Sequence, residues 1–244
     1  MGKKTNINNM FVFDLESCDG EQRVDEDVPR QRVWLCGYMS LVDKELIGFT
    51  SLDVALDRML KLGGNQNVEV GVHNLSFDGS FIVPSLVNLG YKPVHGKPKS
   101  GEFSVLIDDR NNWYSIRVQV TDKRNVMIWD TLKLFPMALK HLHQVYHTPT
   151  KKIEEDQAFY ELVRDENHLP SEQEVQYLTS DLLVLAETLE KHIQVHGLGF
   201  KKTQASQAFY AFSQSFKAWK LRFPALEDKV DQDLRAAYWG GISY

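Results

Sequence analysis

The sequence predicts a mixed α/β fold, a sheet flanked by helices with a helical C-terminal part. Three observations predict it. Strand-like apolar runs fill the first 130 residues. Two helix-patterned stretches, 51–62 and 77–90, interrupt those runs early in the chain. From residue 131 onward the apolar spacing becomes helical. Strands alternating with helices call for helices on both faces of a central sheet.

The elements follow in order. Residues 10–17 and 31–41 alternate apolar and polar side chains and pair as strands, and 44–49 adds a third. A helix spans 51–62, with Ser51 as N-cap and Leu52, Leu56, Met59 and Leu60 on its apolar face. The glycine-rich GGNQN ends it, and VEVGVHN, 68–74, is the next strand. The segment 77–90 is a short helix closed by Gly90, with Pro84 inside it predicting a kink or a late start. Strands at 102–107, 112–120 and 124–130 are separated by the turn sequences DDRNN and TDKRN. Helices are expected at 132–146, 155–165, 171–195 and 203–219. In the third of these, Val175, Leu178, Leu182, Leu185, Leu189 and Ile193 recur in steps of three and four.

Composition excludes several classes. The 244 residues are 43% hydrophobic, enough for a sizeable core. The net charge of −5 gives no bulk attraction to nucleic acid, so binding one requires a local groove or metal ions. No apolar run approaches the roughly 20 residues of a membrane span, and the N-terminus has no apolar signal core. Cys18 and Cys36 lack metal-ligand spacing and read as free thiols in a reducing, intracellular compartment.

The informative residues are acids. In FVFDLES, 11–17, Asp14 and Glu16 project to the same side of a strand. Alone, the pair reads as the solvated face of an edge strand. In VHNLSFDGSFI, 72–82, Asp78 falls in the first turn of a helix, where an acid also serves as a cap, and Phe77 and Phe81 read as core. In the long helix Tyr177 and Asp181, four apart, share a face beside the leucine stripe. Their plain reading is a surface Tyr–Asp hydrogen bond. Taken together, the carboxylates come from three separate elements. If they converge, their repulsion requires hard divalent cations with oxygen ligands. Two such ions about 3.5–4 Å apart clamp the attacking and leaving oxygens of a phosphodiester.

In this order the residues resemble the DEDD exonucleases of the tyrosine subclass, which have a ribonuclease-H-like mixed sheet flanked by helices. More narrowly, FDLES, HNLSFDGSFI and YLTSDLLVLAETL resemble the three exonuclease motifs of the protein-primed family B DNA polymerases. The resemblance implies a 3′→5′ exonuclease of the proofreading type acting on single-stranded DNA 3′ ends. Asp14, Glu16, Asp78 and Asp181 would bind two divalent ions, Mg²⁺ or Mn²⁺, and Tyr177 would orient the attacking water or the phosphate. A lysine about twenty residues past a D-[ST]-L triplet contacts the phosphate in this family. Asp130-Thr131-Leu132 is that triplet here, and Lys152, with Lys151 beside it, stands at the matching distance. Ser17, Asn74, Phe77, Thr131 and Leu132 would contact the strand, with His73 a strand-end residue.

AAYWGGISY, 236–244, resembles the Tyr-x-Gly-Gly segment that joins exonuclease and polymerase domains, carried by Tyr238, Gly240 and Gly241. This divides the chain into an exonuclease domain, 1–225, and a linking segment, 226–244, leading toward a polymerase domain that the sequence does not contain. Polymerisation by this chain is therefore not expected. A polymerase domain and a terminal protein enter as partners by family analogy, and no membrane is involved. The competing readings are a free-standing exoribonuclease of the same fold and an inactive nucleic-acid-binding or partner-docking module.

Overall fold

The computed structural model describes residues 6–19, 31–154, 159, 162, 164–165 and 167–237. The chain forms two compact units, Met1–Gln204 and Ala205–Tyr244.

The first unit is built on one eight-stranded sheet. Its elements are β1 (Met10–Asp19), β2 (Gln31–Ser40), β3 (Leu46–Phe49), α1 (Leu52–Met59), β4 (Val68–Val72) and α2 (Leu75–Asn88). They continue with β5 (Lys92–Pro93), β6 (Glu102–Ile107), β7 (Trp113–Thr121), β8 (Arg124–Asp130), α3 (Leu139–Tyr146) and α4 (Glu172–His196). The strand order is β3-β2-β1-β4-β8-β7-β6-β5. β1, β4 and β8 run parallel, while β2 and β7 run antiparallel to their neighbours.

The alternation in β1 sorts its side chains onto two cores. Phe11, Phe13 and Leu15 pack on one face with Leu56 and Met59 of α1 and Ile82 and Leu86 of α2. Met10 and Val12 pack on the other with Phe135, Leu142 and the α4 residues Leu178, Leu182, Leu185 and Leu189. Burying each such side chain contributes about 1.5–3 kcal/mol, and this fixes which way the remaining β1 residues point. Helices on both faces are as the sequence predicts. Ser51 caps α1 by accepting the Val54 N–H. Cys18 and Cys36 are free thiols.

Several boundaries differ from expectation. β1 is the third strand of eight, so Asp14 and Glu16 do not sit on an edge strand. The helix expected over 132–146 is a 3-10 turn, Thr131–Lys133, followed by α3 from Leu139. Pro136 lies between them and pushes the preceding residue out of the helical region. α2 starts at Leu75, earlier than predicted, and continues through Pro84. Ser80, whose carbonyl that proline cannot serve, is exposed to water. β5 was not anticipated by any apolar run. Residues 155–158, 160–161 and 163 of the helix expected over 155–165, and the Tyr238, Gly240 and Gly241 motif, lie outside the described residues.

In the second unit the helix expected over 203–219 is two helices, α5 (Gln204–Ser215) and α6 (Trp219–Arg222). α7 (Asp228–Ala237) follows, in the segment read from the sequence as a linker. No helix among the described residues is long and apolar enough to cross a membrane.

Gly79 shows how closely α2 lies on the sheet. A Cβ there would stand 2.6 Å from the Trp113 ring of β7. We expect Gly79→Ala to lower stability by about 1–3 kcal/mol through overpacking, despite the better helix propensity of alanine. A denaturant midpoint equal to or above wild type would contradict that packing.

Candidate active site

Parallel β1, β4 and β8 end at the same edge of the sheet, where open α/β sheets collect functional residues. β1 carries Asp14 and Glu16 to that edge. The chain leaving β4 carries His73 and Asn74 and then Asp78 in the first turn of α2. β8 ends on Asp130, and Thr131 and Leu132 form the turn after it. α4 crosses the second face of the sheet and supplies Tyr177 and Asp181. A register shift between β1 and β2 falls at Glu16/Ser17, leaving Trp34 without a partner. Such a bulge raises the local twist and re-aims side chains near it.

The acids converge. Asp14, Glu16 and Asp181 each bring a carboxylate oxygen within 4.8 Å of the others. Asp78 is only 2% exposed, and its Oδ1 is buried with no hydrogen-bond partner. Asp14 and Glu16 keep some accessible surface but are closely surrounded by protein. Burial first, and then the Asp181 charge, pushes the Asp14 carboxyl up to about 7. Burial and the charges of Asp14 and Asp181 raise Glu16 well above the usual carboxylate range. Burial and then Asp14 do the same to Asp78. Asp181 is also raised by burial, and Lys152 offsets part of that rise. An orphaned buried oxygen beside three clustered carboxylates is a donor set that fits a hard divalent cation.

Lys152 reaches this cluster from the loop after α3. Its ammonium donates to the Tyr177 hydroxyl at 3.0 Å and to the Asp181 carboxylate. It also lies 4.4 Å from the centre of the Tyr177 ring. Tyr177 and Asp181 are both buried, and Lys152 joins them, so the expected surface Tyr–Asp bond is not what pairs them. Lys151 is exposed. The Tyr177 ring rests against Phe159, with centroids 5.2 Å apart.

The remaining predicted contacts lie along the same edge. Ser17 is half-buried beside Glu16. Asn74 is exposed in a left-handed conformation, φ 75°, and its side-chain oxygen accepts the Ser76 hydroxyl at 2.8 Å. Phe77 is 40% exposed, so it is not a core residue, and its ring stands 5.5 Å from that of Phe81. Leu132 is half-buried. Thr131 is fully buried, with its hydroxyl 3.1 Å from the Val72 carbonyl and 3.0 Å from His73 Nδ1. His73 Nε2 lies 2.9 Å from the Met137 carbonyl.

Two features escaped the sequence reading. Asp130 was only the first letter of a triplet, yet its buried Oδ1 accepts the N–H groups of both Asn74 and Leu132, each at 3.0 Å. It thereby ties two strand ends together and holds Asn74 in its uncommon conformation. The available signal was an Asp placed directly before a turn. The second is a buried Arg164–Glu174 pair at 2.6 Å, with Arg164 also over the Phe159 ring. Hydrogen bonds from Ser171, Arg164 and His168 outweigh burial and hold Glu174 down at about 2.

Comparison with known proteins places these features in a family. The family model described as "DNA polymerase type B, organellar and viral" matches residues 62–173 and 154–244. The DNA polymerase of Bacillus phage phi29 is 30% identical over 239 residues, covering 94% of this chain and 39% of the relative. That of Bacillus phage B103 is 29% identical over 237 residues, covering 93% and 39%. Phi29 DNA polymerase complexed with primer-template DNA and incoming nucleotide superposes with a TM-score of 0.80 at 26% identity, over 96% of this chain and 39% of that one. The complex of the same polymerase with single-stranded DNA gives a TM-score of 0.80 as well. The chain thus spans about 39% of the length of the relatives it matches.

The site has a pH signature that does not depend on turnover. Folding raises the Asp14 pKa from 3.8 to about 7, so the folded state holds more protons than the unfolded one across that window. Stability contributed by the protonated carboxyl is present below the lower value and is lost as pH rises toward the upper one. In chelator, we expect Asp14→Asn to melt above wild type near pH 7, with the difference shrinking toward pH 4. Adding Mg²⁺ or Mn²⁺ should raise the wild-type melting temperature more than the variant's. Equal metal responses would remove Asp14 from the cation site.

Proposed function

The chain belongs to the organellar and viral type B DNA polymerases, and from that premise we propose that it is a metal-dependent 3′→5′ exonuclease. It would remove nucleotides from single-stranded DNA 3′ ends, as a proofreading activity of a protein-primed polymerase. The observation that carries this reading is the convergence of Asp14, Glu16 and Asp181 within 4.8 Å, with the buried Asp78, whose Oδ1 has no partner, feeling the charges of Asp14 and Glu16. Residues 1–225 are read as the exonuclease domain and 226–244 as the segment leading toward a polymerase domain. A polymerase domain and a terminal protein are its partners by family analogy, in replication inside a host cell.

Asp14, Glu16, Asp78 and Asp181 are the residues to hold two Mg²⁺ or Mn²⁺ ions. When bound, such ions supply Lewis acidity and neutralise charge at a phosphodiester. The protein supplies position. Tyr177, held by Lys152 at 3.0 Å, offers its hydroxyl to orient the attacking water or the scissile phosphate. The Lys152 ammonium is the nearby cation for phosphate charge. The exposed Phe77 ring is a stacking surface for a base, worth roughly 1–3 kcal/mol regardless of base identity. Ser17, Asn74 and Leu132 contact the strand without reading its sequence, and Thr131 supports that edge from beneath. Asp130 positions Asn74 and Leu132 through the two backbone bonds it accepts.

The test is nucleotide release from 3′-labelled oligonucleotides. Wild type should release nucleotides with Mg²⁺ or Mn²⁺, stop in chelator, and act faster on DNA than on RNA. Asp14→Ala combined with Asp181→Ala should reduce release by more than about 100-fold, beyond the loss of an outer-shell partner. Unchanged release would overturn the site, and equal or faster action on RNA would overturn the substrate. Tyr177→Phe should slow kcat while leaving the metal titration unchanged, whereas loss of folding would make Tyr177 a core residue.

A further inference from the structure

Lys152, the lysine bonded to Tyr177 and Asp181, does not sit on a helix or a strand. Lys152 lies in the stretch 151–154, which has no regular secondary structure, whereas Tyr177 and Asp181 are fixed on a helix. A lysine carries about 2 kcal/mol of rotamer entropy on its four-carbon stem. Its 3.0 Å bond to the Tyr177 hydroxyl therefore requires that the backbone beneath it be held.

The same helix holds it at two points. Upstream of Lys152, the Glu187 carboxylate accepts the Thr150 N–H on one oxygen at 3.0 Å and the Thr150 hydroxyl on the other at 2.9 Å. Downstream, the Ile153 N–H donates to Ser180 Oγ at 3.1 Å. Ser180 and Glu187 are seven residues apart, two turns of α4, so one stripe of the helix catches the loop on both sides of Lys152. Glu187 is 8% exposed, and both of its oxygens are taken up by Thr150. The loop before these anchors is tied down as well: the Thr148 carbonyl lies 2.9 Å from His143 Nδ1, and Lys191 donates to the His147 carbonyl at 2.8 Å.

We propose that Glu187 is a positioning residue for Lys152: by gripping Thr150 it sets the loop so that the lysine reaches Tyr177 and Asp181. Glu187 touches neither the acid cluster nor the reacting atoms, and it acts through the loop alone. The proposal rests on the exonuclease reading for its kinetic consequence, but the position of Lys152 can be read without activity.

Two measurements on the full chain test it. In Glu187→Gln one carboxylate oxygen becomes an amide donor, which cannot accept from Thr150. With 3′-labelled single-stranded DNA and Mn²⁺, we expect kcat to fall about tenfold, the scale of losing an outer-shell partner, with KM and metal titration unchanged. In a Lys152→Ala background the same change should produce no further fall, because the residue it positions is gone. Equal falls in both backgrounds would make Glu187 a general structural residue and overturn the proposal. Independently of turnover, acylation of lysines followed by peptide mass mapping should label the half-buried Lys152 slowly beside exposed Lys151 in wild type, and faster in Glu187→Gln. Lys152 remaining as protected as in wild type would overturn the proposal too. Wild type that shows no release but shows this change in labelling would sink the exonuclease reading and leave the positioning role standing. Should Glu187→Gln fail to fold, Thr150→Val removes only the hydroxyl bond, with the same non-additivity and labelling shift expected.

Discussion

Four carboxylates at one end of one sheet are the constraint around which this protein is arranged. Two ionised groups within 4.8 Å of each other, as here, repel by at least roughly 3 kcal/mol at an effective dielectric near 20. Burial adds to that penalty, which is why the Asp14 carboxyl rises to about 7 and Glu16 and Asp78 rise well above the usual range. A fold selected for stability alone would not bring these groups together. The chain tolerates them because two hydrophobic cores, one on each face of β1, fix the sheet and its helices independently of the acids.

The same packing gives the acids their directions. Phe11, Phe13 and Leu15 fill one core, so the opposite parity of β1, carrying Asp14 and Glu16, faces α4. The leucine stripe of α4 sits in that second core and carries Asp181 to the cluster along with it. Parallel β1, β4 and β8 bring their C-terminal ends to one edge, so Asp78 and the Asp130 turn arrive there through topology. Around this rigid frame, the parts that must be adjusted finely are loops held by hydrogen bonds: Asn74 and Leu132 by Asp130, and Lys152 by α4 on both of its sides. Positioning is divided accordingly, with burial locating the acids and directed polar contacts locating Asn74, Leu132 and Lys152.

Much of this was legible in the chain itself. The two-residue period of β1 and the three-and-four period of α4 state which faces are buried, because those periods are geometric properties of strand and helix. Pairing Asp14 with Glu16 on one face, and Tyr177 with Asp181 on another, follows from the same arithmetic. Asp78 was marked by its place at a strand-to-helix junction and Lys152 by the resemblance; the Asp14 charge acts on the first, and the second donates to Asp181. Less legible were elements ended by local chemistry, such as the helix that Pro136 breaks into a 3-10 turn and α3. For Phe77 the apolar pattern and the resemblance pointed different ways: an aromatic residue in an apolar helix reads as core, whereas the resemblance makes it a strand contact, and it is 40% exposed.

The sequence by itself determined the layer order, the faces of β1 and α4, and the set of acids, because each depends on periodicity or residue chemistry within one element. Only the tertiary structure decided that β1 lies inside the sheet, that Asp181 reaches the β1 acids, and that Asp78 is left with an unsatisfied oxygen. It alone revealed the work of Asp130 and Glu187, whose partners lie 56 and 37 residues away along the chain. The physical reason is that a carboxylate's role is set by the donors and charges around it. Those neighbours are chosen by strand order and helix packing, which no local stretch of sequence contains.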